Sequence, residues 1–517
     1  MVTPESRAAR AVIVVGTLVG VSAVLFWLVR PLSGGPAASD AASSVLYFDR
    51  IVSGRQLEAW LNTTPKPLLT VVYGILHAID GEWRLVSVAA VLATAAGIIL
   101  AAEVVRLVAG IAAAAFALVA LTGSTALVAE ASWAYGLGWA FAFWMAAALM
   151  LLRARPRYAL AGVFLLFAVL ARPETFILLG VGTLILAGAT IRGQLPSRGA
   201  WLITIGWLAL PVMCLHDLLL TGNPLWWLSV APHAVEVNGG RARSLPGAVY
   251  MSASRLLSMI VLVVEALAGG IIVLRRRQWV ATVGLIALGP LVVIFIWFLA
   301  ARHIETIGHY LHPVDLAIIL GAAVAVGTLL PWARDRLVPR VPQLAGPAGG
   351  ILVVVASIAL AVASSRPFSP LSAGARQTIA LEGQLDVRVG SLLPTIVSSL
   401  PANPVSTTQP PGPMGSPDPG SIALFIPRHR LPRMAVDLDL PLTAVAVLVP
   451  ARVDLAHGYP PVGSVVYMDG KIDPGSVGSG TAVLRVTAPT TVGGVRIVPV
   501  KTDPAAGIWI VRVEPAP

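Results

Sequence analysis

The chain has 517 residues, of which 57% are hydrophobic and 12% charged, and its formal net charge is +11. Soluble domains carry about 25% charged residues, so this composition excludes an ordinary soluble globular protein. The arginines are scattered through short segments between apolar runs, which indicates membrane topology and no nucleic-acid partner. The single cysteine, Cys214, excludes an internal disulfide and a cysteine-based metal cluster.

Apolar runs recur through the first 365 residues. A hydrocarbon core takes about 20 helical residues to cross, and backbone groups in lipid need partners within their own segment. Runs without strand-like alternation are therefore predicted to be helices, and the first is predicted to be retained, since no small-residue cleavage site follows it. We predict eleven membrane helices, at 11–29, 85–103, 107–128, 136–152, 158–171, 175–191, 200–219, 256–274, 279–300, 311–331 and 346–364.

The arginines predict the orientation. With the N-terminus in the cytoplasm, the arginine-rich loops 153–157, 192–198, 275–277 and 334–340 all lie on the cytoplasmic side, as the positive-inside rule requires. An odd number of helices then places the C-terminal region outside. The sequence predicts a multi-pass plasma-membrane protein whose long loops, 30–83 and 220–255, lie on the outer face.

The composition changes after the last apolar run. We predict a membrane domain at 1–365, a linker with a helical stretch and a Pro-rich loop at 366–421, and an extracytoplasmic β-rich domain at 422–517. Short β-branched runs separated by turn residues predict strands in this last part. We expect a small β-sandwich or jelly roll.

The first outer loop contains several candidate residues for chemistry. Asp40 follows two glycines and a proline and is either a functional carboxylate or the N-cap of an interfacial helix. For Asp49 and Arg50, the surrounding apolar pattern favours the solvated face of that amphipathic helix. Lys66 is the only lysine of the membrane part and lies between two prolines. It is predicted either to snorkel at the interface or to bind an anion.

Further candidates lie at helix ends. Arg172 and Glu174 flank Pro173 at a helix break, where a structural ion pair is favoured over contact with a ligand. His216 and Asp217 could pair with each other or bind a metal. The remaining candidates are Trp226 and Trp227, for which aromatic-belt anchors are favoured over a sugar platform, His233 in the same loop, and His309 and Tyr310, with His312 one turn deeper.

Several of these segments resemble a known family. SDAASSVLYFDRIVSG at 39–54, with Asp40 shortly after the first helix and Gly54 fourteen residues later, resembles the first outer loop of GT-C glycosyltransferases, most closely bacterial arabinofuranosyltransferases. NTTPKPLLT, LARPET and LTGNPLWW are similar to later stretches of that family, and GHYLHPVD at 308–315 resembles its Arg-Tyr-x-x-Pro stretch. The chain departs from the family at Ser39, where an acid is expected, and at His309, where an arginine is expected.

The resemblance implies an inverting membrane glycosyltransferase of the EC 2.4 class. Its donor would be a polyprenyl-phosphate sugar, arabinofuranose or mannose, and its acceptor a hydroxyl of a cell-envelope glycan or glycolipid. We expect no required metal, with a divalent cation as the open alternative; the composition is typical of actinobacteria. The resemblance implies Asp40 as the base, donor contacts from Lys66, Arg172, Glu174, His309 and Tyr310, and acceptor contacts from Asp49, Trp226, Trp227 and His233.

Two other classes of function stay open. A transporter or flippase of lipid-linked sugars would show repeats and acidic residues near mid-membrane, whereas the acids of this chain lie near the outer boundary. A non-catalytic scaffold could bind wall polysaccharide through the β-rich domain.

Overall fold

The computed structural model describes most of the first 365 residues and parts of the remainder. The described ranges are 4–29, 39–54, 66–81, 83–192, 197–227, 244–276, 288–302, 308–365, 424–426, 445–447, 462–468, 484–504 and 508–517, with single positions at 392, 395, 396, 398, 400, 455 and 460. The chain divides into two compact units. Unit 1 comprises Met1–Leu32, Leu85–Met213 and Arg243–Gln377, and unit 2 comprises Ser33–Arg84, Cys214–Ala242 and Thr378–Pro517.

Helices dominate the described residues before position 366. They are α1 Pro4–Val29, α2 Ser39–Ser53, α3 Pro67–Asp80, α4 Arg84–Ala109, α5 Ile111–Thr122, α6 Thr125–Ser132, α7 Leu137–Leu151, α8 Tyr158–Ala171, α9 Phe176–Ile191, α10 Ala200–Trp207, α11 Ala209–Thr221, α12 Leu245–Ser258, α13 Ile260–Arg275, α14 Leu288–Ala301, α15 His312–Leu337 and α16 Pro347–Ser365. Short 3₁₀ turns lie at Pro173–Thr175, Ser197–Gly199, Gly308–Leu311 and Pro342–Ala345.

Each of the eleven predicted runs overlaps at least one of these helices. By length and apolar composition, four described helices could cross a membrane, and six if each of two bent pairs counts as one span. The pairs are α5 with α6, bent by 49°, and α12 with α13, bent by 88°. The helical membrane class is thereby supported, and the number eleven stays a prediction.

Small residues allow close helix packing in unit 1. A Cβ atom added at Gly269 of α13 would lie 2.0 Å from the backbone oxygen of Gly321 in α15, so these two helices touch through their backbones. A buried hydrogen bond of 2.6 Å from the Ser357 hydroxyl to the Ala112 carbonyl joins α16 to α5. Helix α15 is buried along most of its length and lies at the centre of the core of unit 1.

In unit 2, α2 packs against α3 at Gly74, where an added Cβ would lie 2.1 Å from Cγ of Phe48. Helix α3 begins after Lys66 with Pro67 in its first turn and ends at Gly81. That glycine has φ +66° and donates its N–H to the carbonyl of His77 at 2.7 Å. The proline and glycine therefore set the two ends of this helix.

The described strands of unit 2 form one six-stranded sheet. They are β1 Leu424–Ile426, β2 Val445–Val447, β3 Val465–Met468, β4 Thr490–Val492, β5 Val495–Asp503 and β6 Ile508–Pro515. The order is β2-β1-β3-β6-β5-β4; β1 is parallel to both β2 and β3, and the other pairs are antiparallel. A small C-terminal sheet is confirmed, and the described strands form one mixed sheet; the expected sandwich or jelly roll stays a prediction.

Candidate functional site

Helix α2 carries Asp40 near its start. The helix begins at Ser39, so Asp40 is the second helical residue and not the N-cap. Buried residues of α2 include Ser43, Tyr47 and Arg50, whose spacing of three and four residues keeps them on one face. The register places the backbone of Asp40 two turns before Tyr47 on this same face, while the Asp40 side chain lies outside the described residues.

The predicted solvated face of α2 is only partly correct. The Asp49 side chain is 56% exposed, as expected, and lies 3.2 Å from Nη1 of Arg50. The Arg50 side chain, however, is only 4% exposed, so its predicted solvation is wrong. Helix α2 packs along α3 in unit 2 instead of lying free at an interface, and Arg50 is buried in this unit.

Lys66 immediately precedes α3 and is buried, with 8% of its surface exposed. Its carbonyl accepts the backbone N–H of Thr70 at 3.0 Å, which places the two residues one turn apart on the same side of the helix. A lysine this buried needs polar or charged surroundings, because moving an ammonium group out of water without them costs several kcal/mol. Binding of an anion by Lys66 stays a prediction.

His216 connects three segments of unit 2. Its Nε2 lies 3.1 Å from Oγ1 of Thr70, and its Nδ1 lies 3.3 Å from Oδ1 of Asp217. The ring also meets Tyr47 edge-on, at 5.9 Å between centroids. The other carboxylate oxygen of Asp217 accepts the backbone N–H of Trp227 at 2.9 Å. His216 and Asp217 therefore pair with each other, the first of the two alternatives that the sequence allowed.

We call the group formed by Tyr47, Arg50, Lys66, Thr70, His216 and Asp217 the α2–α3–α11 cluster. All six residues are buried. Two of them are cationic, and within the described residues of the cluster Asp217 is the buried acid. Nowhere among the residues that the structure describes do three histidine, cysteine or acidic side chains lie together as metal ligands.

A second polar group, the Glu130 network, lies in unit 1. The Glu130 side chain is completely buried near the end of α6. One carboxylate oxygen accepts Nη1–H of Arg172 at 3.0 Å, and the other lies 2.7 Å from Nδ1 of His312. Arg172 caps the end of α8, and His312 begins α15. A single carboxylate therefore joins three helix ends.

The surroundings of Arg172 fit the structural ion pair predicted from the sequence. Its main partner is Glu130, however, and the predicted partner Glu174 is more distant, with 3.5 Å between Nε and Oε2. Tyr310 is half-buried, packs against the core of unit 1, and lies within electrostatic range of Arg172. Donor contact by any of these residues stays a prediction.

Sequence reasoning missed two acids of unit 1. Glu130 is the only acid between Glu103 and Glu174, and an isolated acid in a long apolar stretch is a recognisable signal. Asp315 is 2% exposed and forms a bidentate pair with Arg255, whose Nε lies 3.1 Å from Oδ1. The sequence signal that points to Asp315 is its position near the start of an apolar run. In the structure this is the first turn of α15, where the helix dipole favours an acidic residue.

Besides Asp40, several candidates are described only in part or not at all. His309 lies in the turn Gly308–Leu311, but its side chain is outside the described residues, and His233 lies wholly outside them. Trp226 and Trp227 are half-buried at the end of the described segment after α11. Their roles as belt anchors or sugar contacts stay predictions.

The comparisons with known proteins identify the fold. No family model matches the sequence, and a search of curated proteins finds no match. The structure is mostly helical with a small C-terminal sheet, and four to six of its described helices could cross a membrane by length and composition. It is similar to solved structures of ArnT from Cupriavidus metallidurans. The apo form is 15% identical with a TM-score of 0.54 and coverage of 98% of both chains.

A second ArnT structure, bound to undecaprenyl phosphate, gives a similar result. It is 14% identical, with a TM-score of 0.55 and coverage of 97% of this chain and 98% of the other. At these identities the likeness shows the fold alone. The expected GT-C fold is thereby supported, and the particular resemblance to arabinofuranosyltransferases stays a prediction.

Proposed function

We propose that this protein is a membrane glycosyltransferase that moves a sugar from a polyprenyl-phosphate carrier to a hydroxyl of a cell-envelope glycan or glycolipid. The observation that carries the proposal is the burial of Lys66, which immediately precedes α3, while Asp40 is the second residue of α2, the helix packed against α3. The fold shared with ArnT in complex with undecaprenyl phosphate supports the same class of donor.

The segments of unit 2 support an outward-facing site. Its residues come from 33–84, 214–242 and 378–517, which closely follow the three regions that the arginine distribution places outside the cytoplasm. Nucleotide sugars are confined to the cytoplasm, so a transferase acting outside takes its sugar from a membrane-borne carrier. A polyprenyl phosphate is such a carrier.

In the proposed reaction, an acceptor hydroxyl attacks the anomeric carbon while Asp40 takes its proton. The bond between that carbon and the phosphate oxygen breaks, and its electron pair stays on the phosphate. Lys66 stabilises the charge that develops there, because a fixed cation aimed at the leaving group acts most strongly in the transition state. The configuration at the anomeric carbon is inverted.

For the remaining candidate residues, the proposal keeps fewer donor contacts than the sequence analysis expected. The contacts of Arg172 with Glu130 and Glu174 support a structural role for Arg172 and Glu174 within unit 1. His309 and Tyr310 stay proposed donor contacts, and Asp49, Trp226, Trp227 and His233 stay proposed acceptor contacts. The sugar is proposed to be arabinofuranose or mannose.

The test measures transfer of labelled sugar by the purified full-length protein in lipid nanodiscs. The donors are polyprenyl-phosphate arabinofuranose and polyprenyl-phosphate mannose, and the acceptors are envelope glycans and glycolipids. We expect transfer from one donor, and we expect Lys66→Met to lower kcat/KM by about 100-fold. Lys501→Met removes an exposed lysine of β5 and is the matched control, with activity unchanged.

Two results would contradict the proposal. One is an absence of transfer from every donor by well-folded protein. The other is a Lys66→Met variant with wild-type kcat/KM. Movement of the lipid-linked sugar across the bilayer without glycoside formation would instead support the flippase alternative.

A further inference from the structure

His216 touches both helices that carry the proposed catalytic groups. Through Nε2 it contacts Thr70, one turn after Lys66 on α3. Through its ring edge it contacts Tyr47, two turns after Asp40 on α2. His216 is therefore a side chain that contacts both the helix of the proposed base and the helix that follows the proposed phosphate-binding cation.

The hydrogen bonds define how His216 is held. An ionised carboxylate can only accept, so Asp217 Oδ1 accepts the proton on Nδ1 of His216. Nε2 then carries the lone pair and accepts the hydroxyl proton of Thr70. Asp217 is itself fixed, because its second oxygen accepts the backbone N–H of Trp227. Both ring nitrogens of His216 thus lie against neighbouring side chains, which fixes the orientation of the ring.

We infer that His216 is a positioning residue that sets the distance between Asp40 and Lys66. The inference rests on the proposed function and adds a residue that acts through others. The Thr70 contact fixes α3 and therefore Lys66, which binds the donor. The Tyr47 contact fixes α2 and therefore Asp40, which accepts the proton. A displacement of about 1 Å in such groups can cost about 100-fold in rate.

The arrangement of Thr70, His216 and Asp217 also has the order of a nucleophile, a base and an orienting acid. The proposed reaction argues against that role, because an inverting transfer is a single displacement by the acceptor hydroxyl and uses no nucleophile from the protein. The group instead acts as a connection inside the protein.

The two contacts make separable predictions in the transfer assay. Thr70→Val keeps the shape of the side chain and removes the link to α3, so the donor KM is expected to rise about tenfold with kcat within about threefold. Thr70→Ser keeps the hydroxyl and restores the wild-type KM. Tyr47→Leu removes the link to α2, so kcat falls about tenfold with the donor KM within about threefold.

A merely structural role gives a different result. It lowers the fraction of active protein and leaves the donor KM unchanged in every variant. Thr183→Val, which removes the hydroxyl that accepts Trp207 Nε1–H at 2.9 Å in unit 1, is the control and keeps the wild-type KM. If Tyr47→Leu does not fold, the donor KM values of Thr70→Val and Thr70→Ser still distinguish a positioning role from a merely structural one.

The inference is overturned if Thr70→Val and Thr70→Ser share the wild-type donor KM while the wild-type enzyme transfers sugar. It is equally overturned if Tyr47→Leu raises the donor KM as much as Thr70→Val does. If the wild-type enzyme itself transfers no sugar, the proposed function has failed. The two failures are therefore distinguishable in one experiment.

Discussion

Glu130 is a completely buried acid in an apolar part of the chain. Its two oxygens are occupied by Arg172 and His312, at 3.0 and 2.7 Å. An ionised carboxylate in such surroundings persists only when its charge and hydrogen-bonding capacity are matched. The network therefore stabilises unit 1 mainly by avoiding an unpaired buried charge. Removing one charged residue leaves its partner buried without a counter-charge, which is energetically unfavourable.

We predict that Glu130→Leu lowers the free energy of unfolding by about 3–5 kcal/mol, because it leaves Arg172 buried without its main partner. The double variant Glu130→Leu/Arg172→Met recovers at least about half of that loss, since it removes both charges. Thermal and denaturant unfolding of the purified protein in detergent measures both effects.

The control for this prediction is Asp335→Asn. Asp335 is 64% exposed and pairs with Arg334 at 2.9 Å, so its loss is expected to cost at most about 1 kcal/mol. Equal stabilities of Glu130→Leu and Asp335→Asn would show that the buried network does not stabilise the protein.

At the scale of single residues, the sequence predicts residue types better than partners. It correctly indicates that Lys66 is unusual and that His216 and Asp217 can pair. It does not indicate that Glu130 meets His312, because the two are separated by 182 positions and only the packing of α6 against α15 brings them together. It also assigns Arg50 to solvent, because the apolar periodicity of α2 does not show which of its polar residues the packing of unit 2 buries.

At the scale of elements, apolar runs locate the helices well. They do not show the breaks at Gly123–Ser124 and Met259, because a bend changes direction without changing hydrophobicity. For the sheet, the alternation predicts that strands form but does not predict their partners. The pairing of β1 with β2 and with β3 joins strands that are distant in the sequence. Parallel neighbours need crossover connections, whose path a strand pattern does not contain.

The crossing of α13 and α15 depends on the absence of a side chain. An alanine at Gly269 would place its Cβ 2.0 Å from the Gly321 oxygen, which forces the two helices apart. We predict that Gly269→Ala destabilises the protein by about 1–3 kcal/mol, the usual cost of overpacking. The midpoint of thermal unfolding measures the change.

Gly182 of α9 is the matched control. An added Cβ there meets nothing within 4 Å, so Gly182→Ala is expected to be neutral or to stabilise by up to about 1 kcal/mol through helix propensity. A Gly269→Ala variant as stable as Gly182→Ala would contradict the close crossing.

For the whole molecule, the orientation in the membrane is the prediction on which an outward-facing site depends. Arg155 lies in an exposed loop between α7 and α8, and Asn223 lies in an exposed turn after α11. The positive-inside rule places the first in the cytoplasm and the second outside. In a Cys214→Ala background, a membrane-impermeant maleimide applied to intact cells is expected to label Asn223→Cys and not Arg155→Cys.

Permeabilised cells supply the control, since both engineered cysteines are then expected to react. Labelling of Arg155→Cys in intact cells with protection of Asn223→Cys would reverse the orientation. The α2–α3–α11 cluster would then face the cytoplasm, where nucleotide sugars are present. The location of the site would then no longer argue for a lipid-linked donor.

Sugar transfer by an Asp40→Asn variant tests the central claim most directly. The substitution keeps the size of the side chain and removes the proton acceptor, so the rate of transfer from the polyprenyl-phosphate sugar is expected to fall by about 10²–10⁴-fold. Thermal stability and donor binding stay at wild-type values. Transfer by Asp40→Asn at the wild-type rate would contradict the assignment of the base and the mechanism built on it.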